Sequence, residues 1–263
     1  LPLAAIPTDM YGQCCQLRQI CEICDRFDVP VICDSAEAVG AWYWPSGERR
    51  GKRECKHDGA VHAGYDASAA VYSFNGNKII TSSGGGMLAS HDKKVIDYAR
   101  KLATQAREPA PHYQHQVIGY NYRMSNIVAA IGRGQLQVLD ERVDQARSVF
   151  ARYKELLGGL PGIDFMPEAG HNRCNRWLTV ILIDEETFEA SPEEIRQALE
   201  NRNIEARPTW KPMHLQPIFQ ENSAYGGEVS EDLFARGLCL PSGTDMSDEN
   251  IERVVSIIRE CGT

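Results

Sequence analysis

An amphipathic helix running straight into a short, wholly apolar segment is the feature that most constrains this chain. Cys14, Leu17, Ile20, Cys21, Cys24 and Phe27 recur at helical spacing, which predicts a helix over roughly Gln13 to Phe27 with one apolar stripe. Val29-Pro30-Val31-Ile32-Cys33 has the length and side chains of a strand buried on both faces, and it ends at Asp34. A helix feeding a buried strand is half of a βαβ unit and points to a parallel α/β sheet. Ligands of open α/β sheets sit at the carboxyl ends of strands, so Asp34 is placed to meet one.

The same logic applies further along. Ala69 to Phe74 reads as a second strand, and Asn75-Gly76-Asn77-Lys78 as a turn ending in a lysine. Ile79 and Ile80, a glycine run at Gly84-Gly85-Gly86 and a short strand Met87 to Ser90 follow. Between these parts, Ser46 to His57 carries Arg49, Arg50, Lys52, Arg53 and Lys56 and reads as a solvated loop or insertion, with phosphate binding as the sharper alternative. Asp92 to Gln105 looks helical, and Ser125 is a fitting N-cap for a long helix reaching Leu157. The remainder reads as a smaller α+β unit. It has a strand over Trp177 to Ile183, a helix start at Ser191-Pro192-Glu193-Glu194, a short strand over Ile204 to Arg207 and a last helix from Ser247.

Charge and cysteine content exclude several classes. Lys and Arg number 28 against 36 Asp and Glu, a net charge of −8, which argues against nucleic-acid or anionic-membrane partners. One local basic pocket would still suffice for a small anionic substrate. No apolar run approaches the ~20 residues of a membrane span, and Leu1 to Pro7 lacks the basic and long apolar regions of a signal peptide. Nine cysteines, an odd number in a chain of 263 residues, argue against a disulfide framework and for a reducing cytoplasm. Cys21-Glu22-Ile23-Cys24 fits redox or metal chemistry in isolation. Its place on the helical stripe, without a second ligand pair at zinc spacing, favours packing, and no metal is expected.

Lysines are usually solvated, and a turn between strands explains much of Lys78. The alternative is a desolvated, nucleophilic amine able to bond a carbonyl compound, with the glycines letting a ring approach the backbone. An aspartate at one strand end and a lysine after a later strand suggest pyridoxal phosphate (PLP): the carboxylate pairs with the pyridine nitrogen and the lysine carries the cofactor. At this loose spacing the pair alone is a weak signal.

Four segments in order strengthen it. Asp34-Ser35-Ala36-Glu37-Ala38-Val39-Gly40-Ala41, Ser73-Phe74-Asn75-Gly76-Asn77-Lys78 with Gly84-Gly85-Gly86, Gly119-Tyr120-Asn121-Tyr122-Arg123-Met124-Ser125, and Trp210-Lys211-Pro212-Met213-His214 resemble motifs of the DegT-type sugar-nucleotide aminotransferases, which are fold-type-I PLP enzymes. The resemblance covers nearly the whole chain. It implies a three-layer α/β/α large domain, N-terminally incomplete, over residues 1–140, then a long connecting helix and small α+β domain over 141–263.

The resemblance also implies roles. Lys78 would carry PLP, Asp34 pair with its ring nitrogen, Ala36 pack on the ring, Glu37 lie by the phenolic oxygen and Ser73 bind the phosphate. Asn121 would reach the phosphate in the neighbouring subunit of a homodimer, and Arg123, Trp210 and His214 are substrate-side candidates. The implied reaction passes an amino group from glutamate to C4 of a UDP-linked 4-keto-6-deoxy-N-acetyl sugar, for glycan or exopolysaccharide synthesis. A GDP- or dTDP-linked sugar and a non-catalytic homologue are the alternatives; a dehydratase of the same family would have histidine where Lys78 stands. Three departures stand out. The stretch Ser46 to His57 is long for the family, Glu37 stands where many members have Gln or His, and the portion with a phosphate-holding turn at a helix N-terminus is absent ahead of Leu1.

Overall fold

A computed structural model describes residues 1–47 and 59–262. Most of the basic stretch Ser46 to His57 therefore lies outside the described residues. The chain runs α1 (Leu17–Asp25), β1 (Ile32–Asp34), β2 (Trp42–Tyr43), β3 (Val61–His62), β4 (Ala69–Ser73), β5 (Gly86–Ala89), α2 (Lys93–Ala103), α3 (Asn126–Leu136) and α4 (Leu139–Leu157). It continues through β6 (Ile163–Phe165), β7 (Asn172–Arg173), β8 (Thr179–Ile183), α5 (Glu185–Phe188), α6 (Pro192–Glu200), β9 (Arg207–Pro208), α7 (Glu228–Arg236), β10 (Gly237–Leu240) and α8 (Asp248–Cys261). Two compact units result: Leu1–Asp144 with Glu168–Trp177, and Gln145–Pro167 with Leu178–Thr263. Among the described residues no helix is long and apolar enough to cross a membrane.

In the first unit β1 pairs with β4 in parallel, with Asp34 opposite Val71, and β4 pairs with β5 antiparallel. The backbone from Ala5 to Asp9 runs alongside β1, bonding Pro30, Ile32 and Asp34 across the gap. Burial along the first strand alternates: Val31 and Cys33 are sealed while Ile32 and Asp34 are half-buried. One face, not both, is thus fully covered among the described residues, and Asp34 stands on the other. The first helix starts at Leu17, later than its apolar pattern suggests. A 3-10 turn at Met10–Gly12 precedes it, and the Asp9 carboxylate takes the Cys15 N–H at 2.9 Å. A small antiparallel sheet β3-β2-β7 had no clear sequence signal. The long helix expected from Ser125 divides at Gln137–Val138, where amides bond three residues back; Gly132 and Gly134 weaken the turn before the break.

The second unit is a four-stranded antiparallel sheet, β6-β8-β10-β9, over a continuous aliphatic core. Ser191 and Glu194 close the capping box read from the sequence. The penultimate short strand forms at Arg207–Pro208, at the end of the Ile204 to Arg207 segment that suggested it.

Candidate active site

The site is built in the first unit from two turns that leave neighbouring strands. After β1, Asp34 folds its carboxylate back to accept the Ala36 N–H at 3.1 Å, an Asx turn that directs the chain through Ala36 to Glu37. Glu37 is held at both ends. Its Oε2 accepts the Tyr11 N–H at 2.7 Å, and its carbonyl accepts Asn175 Nδ2 at 2.8 Å. Tyr11 sits at φ 53°, a sparsely populated conformation for a residue with a Cβ, in the turn that aims its amide at Glu37.

After β4 the chain turns at Asn75, whose carbonyl accepts the Lys78 N–H at 3.1 Å. Lys78 Nζ lies 3.8 Å from Glu37 Oε1, with only 13% and 11% of the two side chains exposed. The same Nζ stands 4.0 Å from the centroid of the Trp177 ring. Burial pulls the Lys78 amine below the usual lysine range; the Glu37 and Asp34 carboxylates oppose that shift without cancelling it. A half-desolvated amine in the field of two carboxylates is chemically unlike a surface lysine.

Beneath the first turn lies a buried polar net. The Asp9 carboxylate, 1% exposed, accepts Ser35 Oγ–H at 2.6 Å, Cys33 Sγ–H at 3.5 Å and the Cys15 amide. Asp9, Cys15 and Cys33 offer possible ligand atoms within 4.8 Å of one another, but both carboxylate oxygens already take protein donors. His62 is fixed in one tautomer: Gly40 N–H donates to Nε2 at 3.0 Å, so Nδ1 carries the proton towards the Ala63 carbonyl at 3.1 Å. Burial lowers its pKa. In α1, Cys21 donates to the Asp66 carbonyl, and burial pushes its thiol up to about 11, which leaves it a poor nucleophile.

The structure thus brings Asp34, Ala36, Glu37 and Lys78 together. Ser73, at the end of β4, accepts the Asn75 N–H at 3.3 Å, and its own proton has no acceptor among the described residues. Asn121 and Arg123 lie exposed on the segment between α2 and α3, where Asn121 bridges to Thr104. Trp210 and His214 belong to the second unit, and there His214 Nε2 meets Glu231 Oε1 at 2.8 Å. Sequence reasoning missed Tyr11, Asn175 and Trp177. No local pattern marks them; Trp177 read as the first residue of a strand, and only the return of Glu168–Trp177 to the first unit gives it a place beside Lys78.

Comparison with known proteins gives the chain's family. Residues 3–259 match the DegT/DnrJ/EryC1/StrS aminotransferase family. EpsN of Bacillus subtilis strain 168, whose name assigns it to the pyridoxal phosphate-dependent aminotransferases, is 48% identical over 98% of this chain and 63% of its own length. GDP-perosamine synthase of Vibrio cholerae is 32% identical over 97% of this chain and 65% of its own. The crystal structure of DesI with its TDP-sugar product superposes with a TM-score of 0.83 at 25% identity, covering 100% of this chain and 63% of that one. The chain therefore spans a little under two thirds of the relatives it matches. Its α/β fold is that of the fold-type-I PLP aminotransferases, and the chain belongs to the DegT/DnrJ/EryC1/StrS aminotransferase family.

Proposed function

We propose that this chain is the Lys78-bearing part of a PLP-dependent sugar-nucleotide aminotransferase. The observation that carries the reading is the half-buried Lys78 amine, 3.8 Å from Glu37 and in the field of Asp34. The donor set suits the cofactor: a carboxylate at a strand end for a pyridine nitrogen, a small Ala36 beside it, a lysine amine and an uncommitted Ser73 hydroxyl proton for a phosphate oxygen. When bound, PLP supplies a carbonyl that takes up amines and a ring that draws electrons from the adjacent carbon.

The chain's own residues do the rest. Asp34 would pair with the ring nitrogen and favour its protonated form, and the Asx turn with Ala36 fixes the direction of its carboxylate. Glu37, held by Tyr11 and Asn175, would face the phenolic oxygen. Lys78 Nζ would hold the cofactor through its carbonyl carbon, and as a free amine it is placed to act as general base and then general acid for a substrate proton. Low water access strengthens every charge contact in this space. Asn121 would serve the phosphate of a second copy; its neighbours Ile118 and Tyr122 are 84% and 77% exposed, an apolar surface that a second copy would cover.

Glutamate is the proposed amino donor and a UDP-linked 4-keto-6-deoxy-N-acetyl sugar the acceptor. The names of the relatives keep a second reading of the nucleotide open, since one makes GDP-perosamine, another was crystallised with its TDP-sugar product, and a third is named for a UDP-sugar. Borohydride reduction of the PLP-treated protein should leave a mass tag on the peptide carrying Lys78, and Lys78→Ala should lose both the tag and the visible absorbance. A tag on a different lysine, or unchanged absorbance in the variant, would sink the assignment. Turnover with UDP-, GDP- and dTDP-linked keto sugars then decides the acceptor.

A further inference from the structure

Trp177 is 6% exposed and is tied down on every side that is visible. Its indole Nε1–H donates to the Asn77 carbonyl at 2.6 Å, one residue before Lys78. Its amide donates to Asn175 Oδ1 at 2.9 Å. The other end of the Asn175 side chain donates to the carbonyls of Glu37 and Val39, at 2.8 and 2.9 Å. Asn175 and Trp177 therefore clip the Glu37 turn to the Lys78 turn from 100 or more positions further along the chain. The ring face left over is turned to the lysine ammonium at 4.0 Å.

We propose that Trp177 is a positioning residue for Lys78, its indole face parking the ammonium whenever that amine is not bonded to cofactor. The inference rests on the reading of Lys78 as the cofactor lysine. A reaction in two halves leaves the amine free during each proton transfer, and a four-carbon stem would otherwise swing. The indole quadrupole attracts the cation without adding a carboxylate that could take its proton. The other charged groups facing this amine among the described residues are Asp34 at the end of β1 and Glu37 on the turn after it, and neither is altered by changing the indole.

The test reads Lys78 itself. Acylation of the peptide carrying Lys78 by an amine-reactive reagent is followed against pH in wild type, Trp177→Leu and Trp177→Phe, each checked for folding by circular dichroism. Removing the ring's pull on the cation frees the neutral amine at lower pH. The Leu variant should shift the midpoint down by about half a unit to one and a half units, and the Phe variant by less. A midpoint unmoved in the folded variants would overturn the proposal, and if the Leu variant fails to fold, the Phe variant decides. A wild type that takes up no PLP, with the shift still seen in the variants, would break the proposed function while upholding the hold of the Trp177 ring on the Lys78 ammonium.

Discussion

The two units solve burial differently. The second seals Ile181, Ile183, Ile195, Leu199, Leu238 and Ile258 into one aliphatic core, and its buried polar side chains among the described residues are two threonines, Thr179 and Thr209. The first packs alanines and cysteines around α1 and β1 and buries Asp9, Ser35, Asn172, Asn175 and Arg176. Aliphatic packing is non-directional and tolerates small shifts, whereas a buried amide or carboxylate demands partners at set distances. The first unit thus gives up hydrophobic surface for groups that can hold the Glu37 and Lys78 turns in register. Substitutions should therefore separate stability from site geometry according to the unit they strike.

The largest stability effect belongs to the second unit. Leu199 is fully buried in the core where α6 packs against α8. Leu199→Ala should cost about 2–5 kcal/mol, read as a lower denaturant midpoint, while PLP absorbance per folded chain stays the same. Loss of PLP in the folded fraction would break the separation of roles.

Gly12 makes the opposite case. It sits at φ +81°, and a Cβ there would meet Asn175 Oδ1 at 1.7 Å. Gly12→Ala must strain the backbone and push aside the side chain that holds Glu37, Val39 and Trp177. Roughly 2–4 kcal/mol of stability should go, and PLP uptake should fall with it. A destabilised protein with wild-type PLP affinity would show that the clip is dispensable to the site.

How much of this was legible beforehand follows from the range of each interaction. Asp34 and Lys78 stand on local patterns, a buried strand and a strand with its turn, so the sequence exposes them. The capping box at Ser191 is equally local. Trp177 and Asn175 act across roughly a hundred residues through backbone carbonyls, and a carbonyl contact leaves no residue type to recognise. The split of the Ser125 helix was missed because the apolar pattern continues through Gln137 and Val138 while two glycines loosen the turn before them. The roles given to Arg123, Trp210 and His214 came from resemblance alone; of these, His214 is held by Glu231 within its own unit.

A pH titration sharpens the contrast further. His62 is half-buried in its neutral form, with both ring nitrogens committed to Gly40 and Ala63. Its folded pKa lies below the ordinary 6.5, so the unfolded chain takes the proton first. Stability is therefore complete above about 6.5 and is lost as pH falls through the lower folded value, at no more than about 1.4 kcal/mol per pH unit. His62→Gln keeps an acceptor for the Gly40 amide and should flatten that slope. An unchanged acid slope in this variant would assign the pH dependence to other groups.

The smallest effect returns to the second unit. Ser191 accepts the Glu194 N–H at 3.2 Å, and the Glu194 carboxylate answers by taking the Ser191 amide at 2.8 Å. Both groups are exposed, so water can replace either bond when the other partner is gone. Ser191→Ala removes one of them at the start of α6 and should cost about 1 kcal/mol. Asp92 caps α2 in the first unit by the same device, accepting the Lys94 N–H at 2.8 Å, and Asp92→Ala should cost a similar amount. Equal losses in the two units, measured by denaturant midpoint, would mean that local capping is indifferent to the kind of core beneath. The contrast would then lie wholly in what each unit buries.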